Sequence, residues 1–95
     1  MAVALCVHVR AKPGDREALR ERLGRHAAFC LAHEPGCRRF DVMTRADDAD
    51  GFVLFEVYDD EAALAAHDAS SHMAAFRAEA GPLISERTRI TGELI

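Results

Sequence analysis

The sequence predicts an α+β fold of the ferredoxin-like kind, with the element order β-α-β-β-α-β and an antiparallel sheet that carries its helices on one face. Two observations predict it: segments in which apolar and polar residues alternate, and intervening segments whose apolar residues recur at helical spacing. The chain has 95 residues, of which 49% are hydrophobic and 29% charged. This length and balance indicate one domain spanning residues 1–95.

The first strand is predicted over residues 3–10, whose apolar side chains alternate with smaller or polar ones. Turn residues at 12–15 lead into a helix that begins at Arg16. Its apolar residues recur at helical spacing as far as Leu31. Residues 34–36 end the helix, because proline cannot continue it and glycine permits a left-handed turn.

The next two strands are predicted over residues 37–45 and 52–58, joined by an acidic turn that ends in glycine. The second of them is rich in β-branched and aromatic residues. The following helical region is predicted to be broken in two, over residues 61–67 and 72–80. An aspartate can cap the first of these helices and a serine the second. Residues 88–95 are predicted to form the final strand.

We expect the fully apolar strand faces to pack against the helices. Those faces comprise Leu5, Val7, Val9, Phe40, Val42, Val53, Phe55 and Val57. The opposite face would then carry Cys6, His8, Arg39, Asp41, Met43, Leu54, Glu56 and Tyr58. Because a face of this mixed character is poorly suited to water, we expect a second copy of the chain to cover it. The resulting sheet-to-sheet homodimer would enclose a cavity.

Charge and composition exclude several classes of protein. The net charge of −4 argues against nucleic-acid binding and against a basic membrane-binding patch. No apolar run has the length of a transmembrane helix, and the first ten residues do not resemble a signal peptide. The three cysteines form neither a disulfide framework nor a Cys-x-x-Cys zinc motif. We therefore expect a cytoplasmic protein that binds no metal.

Three segments resemble the antibiotic biosynthesis monooxygenase superfamily. They are Glu34-Pro35-Gly36-Cys37 with Arg39-Phe40-Asp41-Val42, then Phe55-Glu56-Val57-Tyr58-Asp59-Asp60-Glu61-Ala62-Ala63, and the His-x-x-Ser-x-His element in Ala66-His67-Asp68-Ala69-Ser70-Ser71-His72-Met73. The resemblance implies a dimeric α+β barrel. It also implies one of several activities: oxidation of quinols or phenols by O₂ without metal or flavin, isomerisation of a phosphorylated autoinducer, or haem degradation. The haem-degrading members rely on asparagine and tryptophan, both absent here, so we do not expect that activity.

The candidate catalytic residues are Glu56, His67 and His72. Burial in a dimer cavity would raise the pKa of Glu56 and make it a general base, although a structural ion pair with a cation such as Arg39 is the alternative. The resemblance implies that either histidine shuttles protons near neutral pH. Substrate contacts are expected from His8, Arg39, Asp41, Leu54 and Tyr58. The other two histidines, His26 and His33, are expected on the solvated surface.

The function we favour is a cofactor-independent monooxygenase that oxidises a small quinol or phenolic aromatic with O₂. Two alternatives stay open. One is an isomerase or tautomerase of a small carbonyl compound, with or without a phosphate, and the other is a ligand-binding protein without catalysis. Oxygen consumption separates the first function from the others, and proton exchange between substrate and solvent separates the second from the third.

Overall fold

The computed structural model describes all 95 residues and shows four strands in one antiparallel sheet, with three helices packed on one of its faces. The strand order is β2-β3-β1-β4, which confirms the predicted ferredoxin-like fold. None of the helices is long and apolar enough to cross a membrane. The elements are β1 (Val3–Ala11), α1 (Arg16–His33), β2 (Cys37–Thr44), β3 (Gly51–Tyr58), α2 (Glu61–Ala69), α3 (Ser71–Ala80), a short 3₁₀ turn (Gly81–Leu83) and β4 (Ile84–Glu93).

Two side-chain caps separate the second helical region into α2 and α3. The carboxylate of Asp60 accepts a hydrogen bond from the backbone N–H of Ala63 at 2.8 Å. The hydroxyl of Ser70 accepts one from the backbone N–H of Met73 at 3.1 Å. Both caps satisfy amide groups that would otherwise lack partners in the first turn of a helix. The chain therefore changes direction at Ser70, between the two histidines of the predicted site.

The last strand begins earlier than the sequence pattern indicated. β4 covers Ile84–Glu93, whereas the sequence predicts residues 88–95. It is an edge strand whose side chains are mostly exposed on both faces, so its first residues lack an alternating apolar pattern. Hydrogen bonding to β1, and not hydrophobic patterning, fixes where this strand starts.

The predicted orientation of β3 is wrong. Glu56 pairs with Leu5, and Tyr58 pairs with Val3, so these side chains share the face that the helices cover. The side chain of Phe55 lies on the opposite, open face. Every residue from 52 to 58 except Glu56 is apolar or aromatic, so alternation alone could not indicate which side of β3 faces the helices.

The hydrophobic core lies between the sheet and the helices. Leu5 of β1 and Leu19 and Leu23 of α1 are at most 2% exposed. Burial of each such leucine contributes about 1.5–3 kcal/mol of transfer free energy. At the end of α1, Gly36 lies so close to α2 that a β-carbon added there would be 2.5 Å from the β-carbon of Ala63. Glycine at this position thus permits the close approach of β2 and α2 beside the buried polar groups described next.

Candidate active site

A carboxylate is buried on the helix-covered face of β3. Glu56 is only 3% exposed, and its Oε1 accepts a hydrogen bond of 2.6 Å from the hydroxyl of Tyr58, which is 0% exposed. The two residues are two apart in a strand, so their side chains project from the same face. Burial raises the pKa of Glu56, although the Tyr58 hydrogen bond opposes that rise. Burial, with the neighbouring carboxylate, also raises the pKa of Tyr58.

His67, in the last turn of α2, connects this carboxylate to a second one. Its Nε2 lies 3.8 Å from Oε1 of Glu56, and its Nδ1 donates a hydrogen bond of 2.8 Å to Oε2 of Glu34. His67 is 3% exposed. The two carboxylates thus lie on opposite edges of one imidazole ring, which fixes its orientation.

Glu34 receives hydrogen bonds from both histidines of the His-x-x-Ser-x-His element. His72 donates from its Nε2 to the same Oε2 that accepts from His67. Glu34 follows the last residue of α1, where the helix dipole disfavours a negative charge. Burial also opposes its ionisation, but the hydrogen bonds from His67 and His72 outweigh it and hold the pKa of Glu34 below its usual value.

Two side chains of α1 complete the polar cluster. The Sγ of Cys30 lies 3.8 Å from Nδ1 of His67 and 3.7 Å from Nε2 of His26. His26 stacks on Phe76 with 4.1 Å between ring centroids and is 3% exposed. Burial, helped by the charge of His67, lowers the pKa of His26 to about 4. The expectation of a solvated His26 is therefore wrong, while His33 is exposed as expected.

A small cavity of about 30 Å³ lies beside Glu56 and His67, between the sheet and the helices. Its walls are largely apolar and include Leu54, Phe40 and Phe76. The carboxylate of Glu56 therefore lies at the edge of a largely apolar space, with Asp68, Arg87 and Arg89 among the other charged residues that line it.

The β4 side of the cavity carries a cation. Arg89 makes a two-pronged ion pair with Asp68 of α2, at 3.2 and 3.0 Å. This pairing raises the pKa of Arg89 and holds the guanidinium beside the cavity that Glu56 also lines. The cavity therefore brings together an apolar wall, a buried carboxylate and an oriented positive charge.

Comparison with known proteins places the chain in a family. The family model described as "Antibiotic biosynthesis monooxygenase" matches residues 2–79. The chain belongs to the antibiotic biosynthesis monooxygenase family. A relative in Mycobacterium tuberculosis (strain ATCC 25618 / H37Rv), named "Putative monooxygenase Rv0793", is 35% identical over 89 residues, which are 94% of this chain and 86% of the relative.

Solved structures in this family have the same fold. The structure of Rv0793 from Mycobacterium tuberculosis superposes with a TM-score of 0.90 at 30% identity, covering 100% of this chain and 96% of that one. A structure titled "Putative antibiotic biosynthesis monooxygenase from Nitrosomonas europaea" superposes with a TM-score of 0.92 at 27% identity, covering 99% and 90% respectively.

In this family member, five of the predicted site residues lie on the helix side of the sheet. They are Leu54, Glu56, Tyr58, His67 and His72. The expectation that the polar groups of β3 line a cavity between two sheets is corrected by the register of β3, which turns Glu56 towards the helices. The alternative of a structural ion pair between Glu56 and Arg39 is also wrong, because the neighbours of Glu56 are Tyr58 and His67.

The remaining three predicted residues lie on the open face of the sheet. Arg39 pairs with Asp41 across 2.5 Å, and both side chains are more than half exposed. His8 lies on the same face of β1 as Cys6, whose Sγ is 3.7 Å from Nε2 of His8. The sheet separates these residues from Glu56, so they do not line the cavity beside it.

Sequence reasoning missed four residues of this region: Cys30, Glu34, Asp68 and Arg89. A carboxylate directly after a helix is unfavourable, so Glu34 was the one with a detectable signal. Nothing local marks Arg89, which lies in an edge strand without a clear pattern. Its pairing with Asp68 depends on the packing of α2 against the sheet edge.

Proposed function

We propose that this protein is a cofactor-independent monooxygenase that oxidises a small quinol or phenolic aromatic with O₂ in the cavity between sheet and helices. The observation that carries the proposal is the buried carboxylate of Glu56, which borders a cavity with largely apolar walls that Arg89 also lines. Membership of a monooxygenase family supports the reaction class. The substrate class is our inference from the cavity.

Glu56 is the group that removes the hydroxyl proton of the substrate. A general base works best when its pKa lies near the working pH, and burial moves the pKa of Glu56 upwards in that direction. Tyr58 and His67 hold the carboxylate at a fixed position. A substrate that fills the cavity displaces the water that would otherwise reprotonate its anion.

Arg89 stabilises the negative charge that this proton transfer creates. A guanidinium fixed beside the reacting oxygen needs no reorganisation when a phenolate or superoxide forms there. Asp68 supplies that fixed position through its two hydrogen bonds. The positive charge of Arg89 also favours the ionised form of Glu56, so the base and the cation are coupled before substrate binds.

The reaction balances for 1,4-dihydroxynaphthalene as the substrate. Glu56 takes one hydroxyl proton, and the naphtholate passes one electron to O₂ to give a semiquinone radical and superoxide. These combine to form a carbon–oxygen bond, and Glu56 returns its proton to the peroxide. The O–O bond of this hydroperoxide then breaks. Its outer OH leaves as water together with the hydrogen of the same ring carbon, and hydroxynaphthoquinone remains. One oxygen atom of O₂ enters the product and the other leaves as water.

Substrate entry requires the cavity to widen. Its volume of about 30 Å³ corresponds to one water molecule, whereas a cavity of about 150 Å³ accommodates benzene. The β4 side offers the least resistance, because β4 is an edge strand and its Arg87, which lines the cavity, is exposed. We therefore place the entrance between β4 and α3.

The open face of the sheet is proposed to form the homodimer interface. Met43 and Ile90 on this face are 58% and 66% exposed, and Phe55 lies between them and is only partly covered. Apolar side chains grouped on one face favour contact with another protein surface over contact with water. Analytical ultracentrifugation tests this assembly by measuring the molecular mass of the native chain and of Phe55→Arg in solution.

The activity is tested by O₂ uptake with 1,4-dihydroxynaphthalene, anthrone and simple hydroquinones. We expect uptake above the autoxidation rate, reduced by about 100-fold or more in Glu56→Gln. Glu21→Gln is the matched control, because Glu21 is an exposed carboxylate of α1. Uptake equal to autoxidation would overturn the proposal. Exchange of substrate protons with solvent, without uptake, would indicate the tautomerase instead.

A further inference from the structure

The ends of the three helices bring together four side chains of the types that bind transition metals. Cys30 and Glu34 come from the end of α1, His67 from the end of α2 and His72 from the start of α3. One ligand atom from each residue lies within 4.8 Å of every other: a thiol sulfur, a carboxylate oxygen and two imidazole nitrogens. Cys30 and His67 are buried, and the other two are partly buried.

We propose that Cys30, Glu34, His67 and His72 form a binding site for one Zn²⁺ ion. Zinc prefers four ligands in a tetrahedron, drawn from cysteine sulfur, histidine nitrogen and carboxylate oxygen. Bond lengths of about 2.0–2.3 Å place such ligand atoms about 3.3–3.8 Å apart. The separation of 3.8 Å between Sγ of Cys30 and Nδ1 of His67 already lies in that range.

The polar surroundings of the site suit a bound ion. The metal-binding atom of His67 is Nδ1, which leaves Nε2 directed at Glu56, 3.8 Å away. A metal-bound histidine commonly donates its other ring N–H to a carboxylate, which fixes the ring and strengthens the ligand. Glu56 occupies that position. In the structure, the N–H groups of His67 and His72 converge on Glu34.

Four protein ligands close the coordination sphere, so this zinc has a structural role. It connects the end of α1 to the junction between α2 and α3, where the chain reverses at Ser70. A closed site leaves no open position for O₂ or substrate. The inference therefore goes beyond the proposed oxidation and does not depend on it.

Cobalt provides the test, since Co²⁺ adopts the zinc geometry and absorbs visible light. The chelator-treated native chain is titrated with Co²⁺ and then with Zn²⁺. We expect one equivalent of Co²⁺ to bind, with a thiolate-to-cobalt charge-transfer band and intense tetrahedral bands, and Zn²⁺ to displace it. Absence of stoichiometric binding, or binding without the thiolate band, would overturn the proposal.

Three variants locate the site. Cys30→Ser is expected to lose the charge-transfer band, whereas Cys37→Ser, the matched control at another buried free cysteine, keeps it. His72→Ala leaves every thiol in place and is expected to weaken Co²⁺ binding about tenfold or more. Far-ultraviolet circular dichroism confirms that each variant is folded. A charge-transfer band that survives in Cys30→Ser, or unchanged affinity in His72→Ala, would contradict the assignment. These cobalt-binding results test the zinc site alone and do not test the proposed oxidation.

Discussion

The hydroxyl of Tyr58 donates to Oε1 of Glu56 across 2.6 Å, and neither side chain is more than 3% exposed. Without this donor, the buried carboxylate would keep only the longer approach of His67, whose Nε2 lies 3.8 Å from Oε1. The contact favours the ionised form of Glu56 while burial favours the protonated form. Tyr58 therefore sets how strong a base Glu56 is.

Tyr58→Phe is predicted to change both stability and pH dependence. Removing the hydroxyl leaves a buried acceptor without its donor, which costs about 1–3 kcal/mol in the free energy of unfolding measured with urea. The pKa of Glu56 rises further, so the acidic limb of the kcat/KM profile shifts to higher pH. A variant with an unshifted profile would show that Glu56 is not the titrating base.

Arg89→Ala is predicted to lower kcat/KM by about 100-fold, the scale of removing one fixed charge-stabilising donor. Arg89→Lys keeps the positive charge but loses the two-pronged pairing with Asp68, so its loss is expected to be smaller. Arg38→Ala, which removes an exposed ion pair with Asp59, serves as the control. Equal losses in Arg38→Ala and Arg89→Ala would argue against a role for Arg89 in the reaction.

The metal-free protein is predicted to lose stability as the pH falls from about 6.5 to about 4. The pKa of His26 is about 4 in the folded chain and 6.5 as its ordinary value. Within that window the unfolded chain binds a proton that the folded chain does not, so stability falls as the solution is acidified. The contribution of His26 to this loss is about 3 kcal/mol.

His26→Leu tests this origin of the pH dependence. Urea denaturation at several pH values between 4 and 7 should show a shallower decline in this variant than in the native chain. His33→Leu, an exposed histidine of the same helix, should keep the native slope. Identical slopes in the native chain and in His26→Leu would mean that other groups cause the decline.

Gly36→Ala is predicted to destabilise the fold by about 1–3 kcal/mol, because the new methyl group would lie 2.5 Å from the β-carbon of Ala63. In an Ala63→Gly background the same change should cost less, and this difference is measured as a coupling free energy. Gly24→Ala is the control. A β-carbon added at this exposed position of α1 meets nothing within 4 Å, so the change should stabilise the fold by about 0.5–1 kcal/mol. Additive effects at Gly36 and Ala63 would contradict the predicted steric contact.

The elements of this fold were predictable from local patterns, whereas the orientation of one strand was not. Strand β1 has one apolar and one mixed face, so its pattern identified the buried side. Strand β3 is apolar on one face and apolar except for Glu56 on the other, so its orientation follows from pairing with β1. Because Glu56 belongs to β3, the error moved the predicted site from between two subunits to the space under the helices.

The candidate site was predictable only where chemistry and local sequence coincide. Glu56 stood out as an ionisable residue between apolar neighbours in a strand, and His67 and His72 stood out through the resemblance of their segment to the family's His-x-x-Ser-x-His element. Glu34 and Cys30 lie more than 30 residues before the histidines that they approach, and no metal motif spans that distance. These residues are brought together by the packing of the helices, and their spacing in the sequence does not indicate that contact.

The proposed reaction begins when Glu56 deprotonates a phenolic substrate in the cavity under the helices. The most direct measurement is the absorption spectrum of 1,4-dihydroxynaphthalene bound to the metal-free protein without O₂, at a pH where the free compound is neutral. We expect the spectrum of the anion with the native chain and with Glu21→Gln, and that of the neutral compound with Glu56→Gln. A bound neutral compound in the native chain, or an equal amount of anion in Glu56→Gln, would contradict it.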